Sequence, residues 1–235
     1  MFEDVRAYPL LSADECRRVA ATVHDLKSYW KQRHPEVPFF TLGIASYLDA
    51  QQEAERGYHA AAYDMNTLLA ARFSWLYRRL LDGLTQLLQE KVVYRPSCAL
   101  PGFHVGLWCP ASESWEASVH QDLQYELLDW SPTEQPDFHR PLSFTLAITL
   151  PQHGGGLNVW DVCHDELEGL SPDERHRKIM AARVEYHPYQ VGHLVLHSGH
   201  KVHQIARTKK EQDGDERVTL QGHGIHCDGM WQLYW

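Results

Sequence analysis

Ser143-Phe144-Thr145-Leu146-Ala147-Ile148-Thr149-Leu150 alternates small or hydroxylated residues with large apolar ones almost without a break. Successive side chains of a strand point to opposite sides, so this octet reads as a strand with two different faces. Phe144, Leu146, Ile148 and Leu150 form one face, which needs an apolar layer to cover it. The stretch downstream repeats the theme in shorter pieces. Gly154-Gly155-Gly156 is a turn, and Leu157-Asn158-Val159-Trp160 resumes as a strand. Residues 183–189, 193–197, 202–206 and 217–223 are further strand candidates, separated by turn signals at Gly192, Ser198-Gly199 and Asp213-Gly214. Many short strands at close spacing argue for a sandwich or jelly roll. The polar stretch 161–182, with Ser171-Pro172-Asp173-Glu174 as a helix start, reads as an insertion between strands.

Upstream of residue 91 the period is helical. Ser12-Ala13-Asp14-Glu15 is a capping box, and Cys16, Val19, Ala20, Val23, Leu26 and Trp30 follow it at helical spacing. Pro35 and Pro38 end that segment, and residues 39–48 read as a short strand. Helical patterning returns over about 54–90, with Leu68, Leu69, Phe73, Leu76, Leu80, Leu84 and Leu88 as an apolar stripe and Gly83 marking a break or close packing. The organisation is α+β in a single domain, 1–235: a helical support over 1–90, then a jelly-roll core over 91–227. The helical stripe needs a partner, and the outer face of the sheet is the natural one.

A formal net charge of −9 and no Lys/Arg run argue against a nucleic-acid partner, because duplex binders present a basic face. No apolar stretch is long enough to span a bilayer, and the start MFEDVRAYPL lacks the pattern of a signal peptide. The cysteines Cys16, Cys98, Cys109, Cys163 and Cys227 are odd in number and scattered, which fits reduced thiols in a cytoplasmic protein. The chain is unusual in holding 16 histidines, so position must decide which of them carry chemistry.

The segment Ser118-Val119-His120-Gln121-Asp122-Leu123 comes first. In extended chain, residues i and i+2 share a side, so His120 and Asp122 can present an imidazole and a carboxylate to one ion. Two histidines and one carboxylate on one face of iron leave three positions open, the geometry of Fe(II) oxygenases. A second such pair, His226-Cys227-Asp228, has no histidine after it. His164-Asp165-Glu166 lies in the polar insertion. Both are read as surface features. For the third ligand, His203 opens a strand after the Ser198-Gly199 turn, and His200, in the turn itself, is the alternative. His193 and His197 share a strand face and read as structural or near the site. Arg217 follows across the polar hairpin 209–216, with Thr219 and Gln221 on its face. A guanidinium there suits the far carboxylate of a dicarboxylic co-substrate.

This order, His120-x-Asp122, then His203, then Arg217, resembles the 2-oxoglutarate/Fe(II)-dependent oxygenase superfamily. So do Pro101-Gly102-Phe103-His104 ahead of the first pair, the Gly-Gly-x-Leu-x-Val-Trp that follows the strand at 142–150, and Gly192-His193-Leu194-Val195-Leu196-His197-Ser198-Gly199 before His203. The resemblance covers roughly 91–224. It implies a double-stranded β-helix with Fe(II) on His120, Asp122 and His203. It also implies 2-oxoglutarate as co-substrate, its distal carboxylate on Arg217 with Thr219 or Gln221 helping, and O2 as oxidant. Hydroxylation of a small molecule such as an amino acid, a peptide or a secondary metabolite is the default outcome; desaturation or ring formation uses the same iron. Asp122 argues against the halogenase branch, where a small residue makes room for halide.

Aromatic residues crowd the first pair in sequence: Phe103, Trp108, Trp115, Tyr125 and Trp130. Tyr94, His104 and Tyr125 are the substrate-side candidates. Glu126 and Asn158 are candidates to brace the metal-binding imidazoles. Two rival readings are a cupin-like metal enzyme without 2-oxoglutarate, in which Arg217 does something else, and a non-catalytic jelly-roll binding module. Oligomeric state is not readable from the sequence.

Overall fold

The computed structural model describes residues 4–49, 57–109, 116–208 and 212–235. Its β-rich part is two sheets. Along the larger one run β1 (Arg6–Pro9), β9 (His193–Ser198), β6 (Pro136–Thr149), β11 (Glu216–Cys227), β5 (Gly102–Leu107), β3 (Phe39–Leu42) and β2 (Lys31–Gln32). On β11 this sheet branches to β12 (Met230–Tyr234), which also pairs in parallel with β4 (Val92–Tyr94). The smaller sheet is β10 (Lys201–Ile205), β7 (Gly156–Cys163) and β8 (Val184–Pro188). Apart from β4 with β12, every pairing of named strands is antiparallel. The fold is thus mixed α and β, with the helices ahead of most of the strands.

The two faces of β6 go to different environments. Phe144, Leu146 and Ile148 join Leu194 and Leu196 of β9, Val218 and Leu220 of β11, and Phe103 and Val105 of β5 in one buried cluster. The helices close that cluster: Val19 and Val23 from α1 (Ala13–Asp25), and Leu69, Phe73, Leu76, Leu80 and Leu84 from α3 (Tyr58–Leu88). The opposite face carries Ser143 and Thr145 of β6, Thr219 and His223 of β11, His104 of β5 and His197 of β9, all buried and all polar. Buried polar groups need partners, so this face marks where the chemistry sits.

Helix starts follow local rules. Ser12 and Glu15 form the expected capping box, and Ser171 and Glu174 form a second one ahead of α4 (Pro172–Ala181), which buries no residue. Gly83 does not break α3. A Cβ there would meet Leu10 Cδ1 at 2.6 Å, so the glycine allows close packing. The helix deviates instead at Phe73 (φ −124°, ψ 23°). Residues 54–56, where the sequence pattern places its start, lie outside the described residues.

Several boundaries differ from the sequence reading: β7 runs to Cys163, into the stretch read as an insertion from 161, and β6 and β11 are longer than expected. The strand expected over 39–48 stops at Leu42. Gly43 then turns with φ +127°, and Ser46–Asp49 (α2) is a single helical turn. The Asp49 carboxylate organises that turn, accepting from the Ala45 amide at 2.9 Å and from both terminal nitrogens of Arg33 at 2.9 and 2.7 Å. The β structure also reaches outside 91–227: β1, β2 and β3 join the large sheet from the N-terminal part, and β12 joins from beyond Cys227. These short strands carry too few residues for a period to show, and the pairing of their backbones is decided by distant partners. The ring of Trp235, fully buried, lies against Gly102 so closely that a Cβ on that glycine would sit 1.9 Å from it.

Candidate metal centre

His120 lies in extended chain and makes an isolated antiparallel bridge to His203 on β10: the His120 amide donates to the His203 carbonyl at 2.9 Å, and the reverse bond is 2.8 Å. Two residues on, the Asp122 amide donates to the Gly199 carbonyl at 2.8 Å. The segment is therefore fastened to the turn between β9 and β10, and the i, i+2 rule puts His120 and Asp122 on the side where His203 arrives. The His120 and His203 ring centroids are 4.4 Å apart.

One ligand atom from each of His120, Asp122 and His203 lies within 4.8 Å of the others, spacing suited to one ion. His203 Nε2 is 3.2 Å from Asp122 Oδ2, and His120 Nε2 is 3.7 Å from Oδ1. Nδ1 of His120 is 2.8 Å from the Ser118 carbonyl, and Nδ1 of His203 is 2.8 Å from the Lys201 carbonyl. A carbonyl can only accept, so Nδ1 holds the proton and the Nε2 lone pair is left for a metal. The carbonyls of Ser118 and Lys201 thus do the bracing that the sequence reading gave to Glu126 and Asn158. Asn158 instead bonds Gln204 at 3.4 Å, and Glu126 lines a different cavity.

Asp122 is buried and held from several sides. Its Oδ2 accepts from Ser143 Oγ at 2.6 Å and its Oδ1 from Gln124 Nε2 at 3.0 Å. His223 Nδ1 stands 3.7 Å from Oδ2. Burial pushes this carboxyl up, but the imidazoles of His203, His223 and His120 outweigh it and hold the group well below the usual carboxylate range. His203 shows the reciprocal effect: burial lowers it, Asp122 raises it, and the net is upward. His120 is lowered, by burial first and then by His203. An ionised carboxylate beside two imidazoles with inward lone pairs is a donor set that fits Fe(II).

The centre opens on a cavity of about 420 Å³ lined from both sheets, by Thr145, His104 and Gln221 on one side and Leu157, His203 and Ile205 on the other. Along β11 the alternation puts Arg217, Thr219, Gln221 and His223 on one face, running away from Asp122 in reverse order. Gln221 lines the cavity, and its Nε2 donates to Oγ1 of the fully buried Thr219 at 3.3 Å. Arg217 lines an adjoining apolar cavity that shares Phe39, Ala117 and Ile205 with the first. Its charge still reaches inward: it adds to the lowering of His104 and works against the burial that raises Tyr189.

Of the substrate-side candidates, His104 lines the cavity and the two tyrosines do not. Tyr94 is packed in the helix-covered core, its hydroxyl donating to the Tyr77 carbonyl at 2.8 Å. Tyr125 faces a separate cavity of about 750 Å³ with Trp130, Phe138, His164 and His200. There its hydroxyl is 2.9 Å from His200 Nε2, which directs His200, the alternative third ligand, away from the other two. Tyr125 is close to the first pair in sequence, but the 3₁₀ turn at Gln124–Leu127 carries it into the separate cavity, and Tyr94 ends β4 beside the helical core. Of the other aromatics, Phe103 is core, Trp108 lines the adjoining cavity, and Trp115 lies outside the described residues. His197 lines the cavity, its ring centroid 4.5 Å from that of His203. Sequence reasoning passed over Tyr47, Ser143, Tyr189 and His223. Ser143 and His223 had a signal, since each falls on the polar side of an alternating strand; Tyr47 sits in the turn α2 and Tyr189 just past the end of β8, and nothing local directs either to the cavity.

No protein-family model matches the sequence, and no curated protein matches it. Solved structures do. An N-substituted L-amino acid dioxygenase from Burkholderia ambifaria AMMD, solved in complex with alpha-ketoglutarate, aligns over 99% of this chain and 86% of its own, with TM-score 0.58 and 16% identity. The non-heme alpha-ketoglutarate-dependent epimerase SnoN from nogalamycin biosynthesis aligns over 93% and 76%, with TM-score 0.54 and 14% identity. HygX from Streptomyces hygroscopicus, solved with nickel, 2-oxoglutarate and hygromycin B, aligns over 93% and 82%, with TM-score 0.51 and 12% identity. The chain has the fold of the 2-oxoglutarate/Fe(II)-dependent oxygenases. In this oxygenase fold the cluster of His120, Asp122 and His203 lies where the two sheets face one cavity. Among the described residues no helix is long and apolar enough to cross a membrane.

Proposed function

We propose that this chain is an Fe(II)/2-oxoglutarate-dependent dioxygenase that hydroxylates a small molecule such as an amino acid, a peptide or a secondary metabolite. On this reading the two sheets are a double-stranded β-helix, or jelly roll, and residues 1–90 are its helical support within a single domain. The observation that carries the reading is the cluster of His120, Asp122 and His203, with both Nδ1 atoms engaged by carbonyls and both Nε2 atoms directed at the carboxylate. The fold likeness and the arginine-bearing strand support the co-substrate. A cytoplasmic setting belongs to the same reading, supported by five cysteines that form no disulfide.

His120, Asp122 and His203 would hold the iron. When bound, iron with 2-oxoglutarate and O2 supplies the oxidising chemistry. The rest falls to the chain. Arg217 offers a fixed positive charge and a planar fork for the distal carboxylate. Thr219 and Gln221 offer hydroxyl and amide groups on the same face. Leu157 and Ile205 give the cavity apolar walls that exclude water. Ser143 and Gln124 fix the Asp122 carboxylate so that its orientation does not depend on the ion.

Anaerobic titration of the Fe(II)-loaded protein with 2-oxoglutarate tests this. A weak visible charge-transfer band is expected, lost in His203→Ala and requiring more co-substrate in Arg217→Ala. Iron binding without a band would turn the reading to a cupin-like enzyme. No iron binding would remove the enzyme reading altogether.

A further inference from the structure

His104 is the cavity residue whose hydrogen bonding is left incomplete. It sits on β5 directly opposite Thr219 and two pairs along from Gly106, the partner of Arg217. It is 6% exposed. Its Nε2 is 2.9 Å from the Tyr47 hydroxyl, while its Nδ1 is buried with no hydrogen-bond partner among the described residues. An orphaned nitrogen at such a place is costly unless a ligand completes it. The ring is also prevented from turning to find another partner. Phe39 meets it edge-on at 5.1 Å between centroids, and Trp235 lies 5.5 Å away on another side.

The protonation state of the ring restricts what that ligand can be. Burial first, and then the Arg217 charge, lower His104 to about 3, so at neutral pH it has one N–H and one lone pair. Tyr47 stays a phenol, because burial and then Asp122 push it up. A phenol that donates to Nε2 leaves the imidazole proton on Nδ1. The ring then offers a hydrogen-bond donor on the face of the sheet that alternation also gives to Arg217, two pairs along, and the Arg217 charge reaches it. Such a pair selects an anionic oxygen.

Resting on the co-substrate reading above, we propose that His104 Nδ1–H, fixed as a donor by Tyr47, is a second anchor for the carboxylate that Arg217 binds. It is a positioning residue for 2-oxoglutarate rather than a contact to the molecule that is oxidised. Tyr47 comes from the turn α2 and His104 from β5, so the pair also couples the N-terminal part of the chain to the co-substrate end of the cavity.

The test is anaerobic titration of the Fe(II)-loaded protein, read by the charge-transfer band and repeated by calorimetry with N-oxalylglycine. Wild type is compared with His104→Phe, His104→Asn and Tyr47→Phe. A hydrogen bond to a charged group supports a weakening of roughly ten- to a hundredfold for His104→Phe. His104→Asn places an amide N–H near the Nδ1 position and should recover most of the loss; Tyr47→Phe should lie between. Pyruvate, which lacks the distal carboxylate, should bind wild type and His104→Phe equally. Iron content and the thermal midpoint of each variant separate this from misfolding. If wild type gives the band but His104→Phe titrates as wild type does, or weakens pyruvate as much as 2-oxoglutarate, the role of His104 is overturned while the co-substrate reading stands. If wild type itself gives no band, both fall.

Discussion

His120-Gln121-Asp122 and His226-Cys227-Asp228 are alike in sequence and end in unlike places. The first is extended chain fastened to the β9–β10 turn, with a histidine delivered across an isolated bridge. The second is the far end of β11. There His226 Nε2 pairs with Glu90 at 3.1 Å, and Asp228 turns the chain with φ +52° while its Oδ1 accepts from the Gln135 amide at 3.2 Å. Alternation puts His226 and Asp228 on one side only as long as the strand lasts, and the hairpin ends it. Two ligand types at the right spacing are thus half a site. The other half is what the topology brings opposite them, and opposite the first pair β10 brings the buried imidazole of His203.

That contrast can be broken or sharpened by substitution. Asp122→Ala should bring bound iron down to background, measured by metal analysis after anaerobic loading, whereas Asp228→Ala should leave it at the wild-type level. Loss in both would mean that the second pair also binds metal. Ser143→Ala removes the shortest hydrogen bond to Asp122 and should weaken iron affinity by roughly ten- to a hundredfold, as removing a support of a metal ligand commonly does; competition with a calibrated chelator reads this. His226→Ala breaks a partly exposed pair and should change unfolding free energy by less than about 1 kcal/mol, with iron affinity unchanged. Asp228→Asn keeps a residue that tolerates the left-handed conformation, and its effect in denaturant melts should stay within about 0.5 kcal/mol.

What could be read ahead of the structure follows the range of the interaction concerned. The two faces of 143–150 were legible because alternation is a property of neighbours along the chain, and the helical stripe for the same reason. The pairing of His120 with Asp122 was legible because i and i+2 share a side. Choosing His203 over His200 needed one more local fact, that a turn precedes the strand. The placement of Arg217, Thr219 and Gln221 on one face of β11 came from the same rule. Nothing local reports that Trp235 would lie against Gly102, or that Tyr47 would reach His104, since these contacts join residues far apart in the chain. Tyr125 shows the converse: it is three residues from Asp122 in sequence, but its hydroxyl is used beside His200, while that of Tyr94 is used in the helical core.

The division of β6 and β11 into an apolar side against the helices and a polar side against the cavity has a consequence for how this chain can be altered. Thr145 and Gln221 line the cavity, while their neighbours Leu146 and Leu220 belong to the cluster that holds the fold. Selectivity and foldability are thereby written into alternate letters of the same strands. A library that randomises Thr145 and Ile205 together would explore new cavity shapes while leaving that cluster intact, so a large share of its members should still express as folded protein.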